Sequence, residues 1–447
     1  MRNLPELAVA LAAGTVTAQA LVERSLSQIT DPLGEGAVAF TRVYAEQARA
    51  SAAAMDHLRE AGRAPSPYAG IPISVKDLFD MAGEPTPAGS VVLANAPPAT
   101  ETAPAIARLL AAGLIPVGRT NMTEFAFSGL GLNPHYGTPR SPWDRETGRI
   151  PGGSTSGGAV SVADGMAMAA IGTDTGGSCR IPAAMCGIVG YKPTARRVPT
   201  EGAFSLSTSL DSVGPLANSV ACCAILDAIM AGEAPAVPGS MSLSGLRVAL
   251  PANLVLDDME NEVAQAYANA LAALEAAGAR LIETAFPALD EIAPVQAKGG
   301  LNVPEAWTTH RELLARAADG YDQRVRSRIE RGATIPVHDY IEALRIRARI
   351  IARMNLQTQD FDVLAMPTCP RVPPAIAALE TDEAAYTSTN LLMLRNTAAA
   401  NFLDRCAISL PCNLPGEAPV GFMLMGETMG DAKLLRIAAA LEAELNA

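Results

Sequence analysis

The sequence predicts an α/β protein in which strands and helices alternate. Short apolar runs that end at turn residues are typical of buried strands, and the amphipathic stretches between them are typical of helices. A predicted strand at 246–250, a helix at 259–278 and a strand at 279–284 show this pattern. Hydrophobic residues make up 49% of the 447-residue chain and aromatic residues only 4%, so we expect a large core filled mainly by small and aliphatic side chains.

Residues 4–62 are predicted to form three amphipathic helices. Gly14 is expected to end the first helix, and Thr17 is expected to cap the second with its hydroxyl. The third covers about 42–61 and ends at Gly62. A segment rich in proline and glycine then leads into the first apolar strand.

That strand, Ile71–Val75, is followed directly by Lys76. Only four of the 34 basic residues are lysines, at positions 76, 192, 298 and 433. A guanidinium stays protonated in proteins, whereas a lysine amine can accept a proton when it is neutral. Lys76 is therefore a candidate base, while Lys192, which precedes a proline, is interpreted as structural.

Further elements follow in order along the chain. A helix and the strand Leu114–Val117 occupy 102–118, and Asn121 with Glu124 predicts a capped short helix. The remaining predicted elements are a helix at 158–165, a strand at 167–171, a mostly helical region at 303–357, strands at 362–366, 406–410 and 419–425, and helices at 388–400 and 431–446.

Two glycine-rich loops carry the chemistry that the sequence suggests. The first, 152–158, contains Ser154, and the second, 172–178, ends at Ser178 just before a predicted short helix. Glycines leave backbone N–H groups uncovered, and a serine hydroxyl beside free N–H groups suits covalent attack on a carbonyl with the oxyanion held by amides. Asp174 and Arg180 flank Ser178 and predict an ion pair that braces the loop.

Two other loop types are excluded by the residues present. A phosphate-binding loop requires a lysine after its glycines, and neither loop has one. The Gly-x-Ser-x-Gly elbow fails because Arg180 stands where the last glycine would be, and because Ser156 follows Ser154 by two residues.

Over about 65–220 the chain resembles the amidase signature family, hydrolases that use a Ser–cis-Ser–Lys triad. The resemblance rests on six stretches in the family's order and spacing: GIPISVKDLFD (70–80), GRTNMTEFAFSG (118–129), PGGSTSGGA (151–159), GTDTGGSCRIPAAMCG (172–187), GYKPT (190–194) and SLDSVGP (209–215).

The resemblance implies a large mixed, twisted central sheet covered on both faces by helices. We expect a single domain over 1–447, made of an N-terminal helical segment (1–62), the signature core (65–220) and a remainder (233–447) that completes the sheet and covers the site.

The family's motifs also imply roles for individual residues. Ser178 would be the nucleophile, Ser154 the bridging serine and Lys76 the base. The other implied residues are the backbone N–H groups of Thr175, Gly176, Gly177 and Ser178 as the oxyanion hole, Phe125, Ser128 and Gly129 as substrate-binding, and Asp174, Arg180 and Thr155 as supporting residues, Thr155 standing where the family commonly has serine.

Composition excludes several other kinds of protein. A net charge of −12 and a pI near 5.0 argue against nucleic acid or an anionic membrane as a partner. The seven cysteines are scattered and form no CxxC pair or His/Cys cluster, so we expect no metal, no disulfide framework and a reducing, cytoplasmic location. Cys179 is interpreted as a packed thiol, and the histidines (57, 135, 310 and 338) stand in no catalytic motif.

The sequence therefore predicts an amidase that needs no cofactor and hydrolyses the C–N bond of a small amide through an acyl-enzyme on Ser178. Anilides, carbamates and esters are chemically accessible to the same site. An apolar set that includes Phe125, Phe127, Met393 and Leu394 suggests an uncharged or aromatic acyl group, with helix core as the simpler role for the last two. A core position is also the alternative role for both phenylalanines. Two alternatives stay open, namely the glutaminase subunit of a tRNA-dependent amidotransferase and a non-catalytic binding protein. A homodimer is compatible with the sequence.

Overall fold

One mixed β-sheet of eleven strands organises residues 3–446, the part of the chain that the computed structural model describes. The spatial order is β1-β3-β2-β4-β6-β5-β10-β11-β9-β7-β8. The strands are β1 (Phe40–Val43), β2 (Pro72–Lys76), β3 (Ile115–Thr120), β4 (Ala169–Thr173), β5 (Val189–Lys192), β6 (Val213–Ala217), β7 (Arg247–Pro251), β8 (Arg280–Thr284), β9 (Val363–Pro367), β10 (Ala407–Pro411) and β11 (Gly421–Met425).

Parallel pairs lie towards the two ends of the sheet and antiparallel pairs join them. β2 runs parallel to both β3 and β4, and β7 runs parallel to both β8 and β9. The intervening strands from β4 to β9 pair in antiparallel fashion. Neighbouring parallel strands bring their carboxyl ends to the same edge, so the last residues of β2 and β4 lie side by side.

Helices cover both faces of the sheet. They are α1 (Leu4–Ala12), α2 (Ala18–Ile29), α3 (Gly36–Ala39), α4 (Ala45–Glu60), α5 (Pro104–Ala111), α6 (Ser156–Ala163), α7 (Arg180–Cys186), α8 (Val220–Ala231), α9 (Asn261–Ala276), α10 (Pro287–Asp290), α11 (Ile292–Ala297), α12 (Asn302–Ala317), α13 (Gln323–Glu330), α14 (Val337–Thr358), α15 (Ile376–Thr381), α16 (Glu383–Phe402) and α17 (Asp431–Leu445), with short 3₁₀ turns at Val91–Leu93, Glu124–Ala126, Ala318–Gly320 and Arg331–Thr334.

Consecutive side chains of β4 show how the two faces are separated. Ala169 and Ile171 pack into a core that includes residues of α5, α8 and α17, whereas Ala170 packs into a second core with residues of α2, α4 and α6. This alternation is what a strand buried on both faces requires.

The predicted α/β architecture is confirmed. Each of the eight predicted strands is present and begins one or two residues after its predicted start. Gly14 has a φ of 67° just beyond the first helix, and the Thr17 hydroxyl accepts a hydrogen bond from the Ala20 N–H as a cap. The prediction of one helix over 42–61 is wrong at its start, because residues 40–43 form β1 on the edge of the sheet and α4 begins only at Ala45.

The predicted Asn121 cap is also wrong. The Asn121 side chain donates to the carbonyls of Val38 and Gly137, so it joins α3 to a loop instead of starting a helix. Only one 3₁₀ turn, Glu124–Ala126, follows it. Glu124 binds Ser90 and His135, contacts from other segments that local sequence spacing does not reveal.

Gly190 of β5 has no side chain, which allows α7 and the residue before it to pack closely on the sheet. A Cβ on Gly190 of β5 would lie 2.4 Å from the Cys179 carbonyl oxygen and 2.5 Å from the Ala183 Cβ. Both neighbours belong to the segment that begins directly after Ser178. The glycine therefore sets the depth at which this segment rests on β5.

We expect Gly190→Ala to lower the free energy of unfolding by about 1–3 kcal/mol, because the added methyl group overpacks this contact. Urea denaturation measures the change. Gly239→Ala is the matched control, since a Cβ there meets no atom within 4 Å. Equal stability of the two variants would contradict the packing argument.

Candidate active site

Lys76 is the last residue of β2, a strand whose five residues are all buried. Its side chain has no solvent exposure, and its Nζ donates to the Ser154 Oγ at 2.8 Å and to the Thr173 Oγ1 at 3.0 Å. Burial lowers the pKa of Lys76 from 10.5 to about 8, although the negative charges of Asp174 and Asp211 act in the opposite direction. The amine is therefore held by two hydroxyls, and its charged form is disfavoured.

Ser154 is fully buried and follows a cis peptide bond from Gly153. Its carbonyl accepts a hydrogen bond from the Thr123 N–H at 3.1 Å. A Cβ on Gly153 would lie 2.6 Å from the Gly131 nitrogen, so the loop passes too close to its neighbour for any other residue. The Ser154 hydroxyl faces Lys76 as a result of this path.

Ser178 precedes α7, lines a cavity and has 4% of its surface exposed. The two serine loops meet through the backbone, because the Thr155 N–H donates to the Ser178 carbonyl at 3.3 Å. In residues 3–446 no hydrogen bond joins the Ser154 and Ser178 hydroxyls. Catalytic hydrogen bonds in ligand-free enzymes are often long and tighten when substrate binds.

Three of the four N–H groups expected to form the oxyanion hole are free. The N–H groups of Thr175, Gly176 and Ser178 have no acceptor within the described residues. The Gly177 N–H instead donates to the Asp174 Oδ1 at 2.8 Å, so in this structure it already has an acceptor. Gly177 has a φ of 135° and a Cβ there would lie 2.3 Å from the Thr397 hydroxyl, so it shapes the loop.

The ion pair expected between Asp174 and Arg180 is present and fully buried. Arg180 donates to the two carboxylate oxygens at 2.8 and 3.0 Å, and the Asn401 amide adds a bond at 2.9 Å. Burial alone would raise the pKa of Asp174, but the charge of Arg180 and its hydrogen bonds outweigh burial and hold that pKa well below its ordinary value. The carboxylate also receives the Gly177 and Cys179 N–H groups, so it organises the turn around Ser178.

Thr155 and Cys179, which directly follow Ser154 and Ser178, are buried side chains. The Thr155 Oγ1 is buried and has no hydrogen-bond partner in the described part of the chain. Burial raises the pKa of the Cys179 thiol well above its ordinary value, which disfavours a thiolate nucleophile. No histidine lines the cavity that contains Ser178.

The three residues expected to bind substrate separate into different environments. Phe125 is 1% exposed and packs in an aromatic cluster with Phe204, His310 and Tyr321, which matches the core position that was its alternative role. Ser128 lines the cavity and donates to the Asn390 Oδ1 at 2.9 Å. The Gly129 N–H donates to the same oxygen at 2.9 Å from behind the cavity wall.

The cavity has a volume of about 270 Å³, which suits a small substrate. Met393 is fully buried in the helical core, whereas Leu394 lines the cavity beside Phe127. Sequence reasoning missed Thr173, Asn390 and Arg328. Thr173 could have been found, because it ends the strand parallel to β2, but Asn390 and Arg328 lie on distant helices and no local motif marks them.

Two further features concern metals and membranes. Within residues 3–446, no group of three or more His, Cys, Asp or Glu side chains is arranged to hold a metal ion. No helix in the described range has the length and apolar character needed to cross a bilayer.

The mixed sheet places a buried lysine at the end of β2, in contact with Ser154, and the Ser178 loop directly after the adjacent strand β4, an arrangement that suits a hydrolase acting on amide bonds. The Amidase family model matches residues 20–435, and the chain belongs to this family.

Relatives and solved structures agree with this assignment. The chain is 38% identical to 2-amino-5-chloromuconic acid deaminase of Comamonas testosteroni over 89% of this chain and 86% of that protein. It is 34% identical to one of the subunits of the glutamyl-tRNA(Gln) amidotransferase of Cupriavidus necator over 98% and 96% of the two chains. A crystal structure of an amidase superposes with a TM-score of 0.89 at 32% identity and covers 99% of each chain.

We expect Asp174→Asn to destabilise the protein by about 3–5 kcal/mol, because it leaves Arg180 buried without an anionic partner. Urea denaturation measures this loss. Glu23→Gln, which breaks the exposed pair with Arg49, is the control and should leave the stability within experimental error. An Asp174→Asn protein as stable as the control would show that the pair does not brace the loop.

Proposed function

We propose that Ser178 attacks the amide carbonyl of a small substrate while Ser154 and Lys76 carry its proton. The observation that supports this most directly is the 2.8 Å hydrogen bond between the buried Lys76 Nζ and the Ser154 Oγ. A lysine serves as a base only when neutral, and burial is the physical means of favouring that form.

In the first half-reaction, neutral Lys76 accepts the Ser154 proton and Ser154 takes the proton of Ser178. The Ser178 Oγ then forms a bond to the carbonyl carbon, and the N–H groups of Thr175, Gly176 and Ser178 stabilise the oxyanion. Each such donor contributes about 3 kcal/mol in comparable enzymes.

The intermediate collapses when the C–N bond breaks. The proton held by Lys76 returns through Ser154 to the leaving nitrogen, which departs as ammonia or an amine and leaves an acyl group on Ser178. Water then loses a proton along the same relay, attacks the acyl carbon and releases the acid. Amines leave poorly unless protonated, so this return matters more for amides than for esters.

A second candidate is the glutaminase component of an amidotransferase, which the 34% identity to the Cupriavidus necator protein favours. That activity would use the same relay on glutamine and would depend on a partner chain. Hydrolysis of simple amides by the lone chain, without glutaminase activity, supports the free-standing amidase. A relative named as a deaminase of an amino-substituted acid is compatible with an enzyme that acts on C–N bonds of acids.

Three further expectations, on domain organisation, cellular location and oligomeric state, are also proposals. A sheet that draws its strands from Phe40 to Met425 supports a single domain over 1–447. Seven unpaired cysteines support a reducing, cytoplasmic location. The homodimer stays a prediction, which light scattering on the purified protein would test.

We expect Ser178→Ala and Lys76→Ala to abolish amide turnover, because one lacks the nucleophile and the other the base. Ser154→Ala should keep a trace of activity that favours esters over amides, since the relay to the leaving group is lost. Mass spectrometry should show a fluorophosphonate adduct on Ser178 of the wild type. Wild-type turnover by Ser178→Ala would remove it as the nucleophile, and failure of Ser178 to react with any serine-directed probe would favour a non-catalytic protein.

We expect kcat/KM to rise with pH through about 8 and then level off, because the Lys76 pKa of about 8 sets its neutral fraction. The pKa of Lys76 in the folded protein lies below its ordinary value of 10.5, so burial of its protonated form lowers the free energy of unfolding below pH 8. This loss of stability disappears as the pH rises from 8 towards 10.5. Lys192→Gln is the control. Burial and the nearby charge of Arg180 also lower the pKa of Lys192 to about 8, but its Nζ donates to the Pro193 carbonyl and does not contact Ser154. If Lys192→Gln lost the pH dependence of kcat/KM, Lys192 and not Lys76 would be its source.

A further inference from the structure

Thr175, whose N–H group is one of the three free donors beside Ser178, is held by a carboxylate from the segment that leads into β6. Its Oγ1 donates to the Asp211 Oδ1 at 2.5 Å. We propose that Asp211 is a positioning residue for the oxyanion hole, because it fixes the Thr175 side chain and thereby the direction of the Thr175 N–H. The proposal rests on the function proposed above and adds a residue that acts on the reaction without contacting the substrate.

The pairing of β4 with β6 brings these two residues together. The antiparallel backbone pairing continues beyond the end of β4, where the Asp174 N–H donates to the Ser212 carbonyl at 2.8 Å and the Ser212 N–H donates to the Asp174 carbonyl at 3.2 Å. The next opposing pair in this register is Thr175 and Asp211. Side chains of opposing residues lie on the same face of an antiparallel pair, so the register places the carboxylate beside the hydroxyl.

Asp211 is itself fixed by its own loop. It accepts hydrogen bonds from the Ser205 hydroxyl at 2.8 Å and from the N–H groups of Leu206 and Ser207, each at 3.1 Å. Within residues 3–446, no lysine, arginine or histidine forms an ion pair with it. Hydrogen bonds to an ionised carboxylate are shorter and stronger than those between neutral groups, so Asp211 is a firm anchor for the Thr175 hydroxyl.

A second carboxylate joins this loop to the helices that cover the site. Glu305 of α12 accepts hydrogen bonds from the hydroxyls of Ser207 and Ser209, and also from the hydroxyl of Tyr340 in α14. The loop that ends at Asp211 is therefore held both by the sheet and by two helices, which limits how far the carboxylate can move away from Thr175.

Asp211 acts from behind the wall of the substrate cavity. Thr175 lines the cavity that contains Ser178, whereas Asp211 lines a neighbouring cavity of about 240 Å³ together with Thr173 and Thr175. Thr175 thus separates the carboxylate from the substrate. Asp211 can then influence the reaction in two ways, through its hydrogen bond with Thr175 and through its charge, which opposes the lowering of the Lys76 pKa by burial.

The test measures how fast a fluorophosphonate labels Ser178 in the full chain, because this reaction does not require the natural substrate. The Ser178 Oγ forms a bond to phosphorus, the P–F bond breaks, fluoride leaves, and the Ser178 proton passes to the Ser154–Lys76 relay. The phosphoryl oxygen gains negative charge at the position of the oxyanion, so the rate reports on the N–H donors. Hydrolysis of p-nitrophenyl butyrate gives kcat and KM for the same proteins.

Asp211→Ala and Thr175→Val each remove one side of the hydrogen bond and keep the Thr175 N–H. We expect both to lower the labelling rate and kcat by about 10- to 100-fold, less than the loss of an oxyanion donor, with KM changed less than threefold. The double variant should be no more than about threefold slower than the slower single variant, because both substitutions break the same bond. Thr175→Ser keeps the hydroxyl and should label within threefold of the wild type.

Asp211→Asn separates the hydrogen bond from the charge. Its amide oxygen can still accept from the Thr175 hydroxyl, so the labelling rate should fall less than in Asp211→Ala. With Asp174 intact, removal of the negative charge at 211 should lower the pKa of Lys76 further, and the pH of half-maximal labelling should move below that of the wild type. Thr175→Val keeps the charge and should leave this pH unchanged.

Thr194→Val is the matched control. The Thr194 hydroxyl donates to the buried Asp431 carboxylate at 2.7 Å, a bond of the same kind in a place where neither residue lines the cavity that contains Ser178. Urea denaturation of this variant should show a loss of stability, whereas its labelling rate should stay within threefold of the wild type.

Several results would overturn the positioning role of Asp211. They are wild-type labelling rates in Asp211→Ala and Thr175→Val, additive losses in the double variant, a loss in Asp211→Ala that Thr175→Val does not share, and an equal loss in Thr194→Val. An Asp211→Asn protein that labels as slowly as Asp211→Ala with an unchanged midpoint would also overturn it, since the residue would then be merely structural. If Asp211→Ala does not fold, Thr175→Val decides. A folded wild type that does not label at Ser178 would instead contradict the proposed function itself.

Discussion

The structure depends on one buried interaction, the contact of the Lys76 ammonium with the hydroxyls of Ser154 and Thr173. A charged group without solvent exposure is unfavourable unless it is paired, and here its direct partners are neutral hydroxyls. The consequence is an amine whose pKa falls to about 8, close enough to neutrality for it to take up and return a proton. Two features of the fold form this contact. The parallel strands β2 and β4 bring Lys76 and Thr173 to one edge of the sheet, and the glycines before Ser154 allow its loop to pass close to neighbouring backbone.

Charge is distributed unequally on the two sides of Ser178. Behind it, the Asp174 carboxylate accepts hydrogen bonds from Arg180, from the Asn401 amide and from the Gly177 N–H, so the polar groups on that side have partners within the protein. In front of it, the backbone N–H groups of Thr175, Gly176 and Ser178 line the cavity and have no acceptor among residues 3–446. The open side therefore suits the negative charge of the oxyanion that forms during the proposed reaction.

The sequence was sufficient to predict the α/β sheet and to select Lys76 and Ser154, which the structure brings into contact, because strands and glycine loops are marked by local residue patterns. It failed where an atom's role depends on distant partners. The Gly177 N–H turns to Asp174, a carboxylate oriented partly by Asn401, 227 residues away. Arg328 is positioned by the Phe127 carbonyl, 201 residues away, and nothing in its local sequence separates it from Arg324 or Arg326. The sequence left Phe125 open between the core and the substrate pocket, because its aromatic neighbours come from three other segments.

The central claim is tested most directly by the ionisation of Lys76 itself. The chain has four lysines, so selective ¹³Cε labelling gives few NMR signals, and comparison with Lys76→Met assigns the one of interest. If Lys76 is the base, its signal should titrate near pH 8, well below the usual value of about 10.4. A midpoint near 10 would mean that burial does not favour the neutral amine, and would contradict its role as the base.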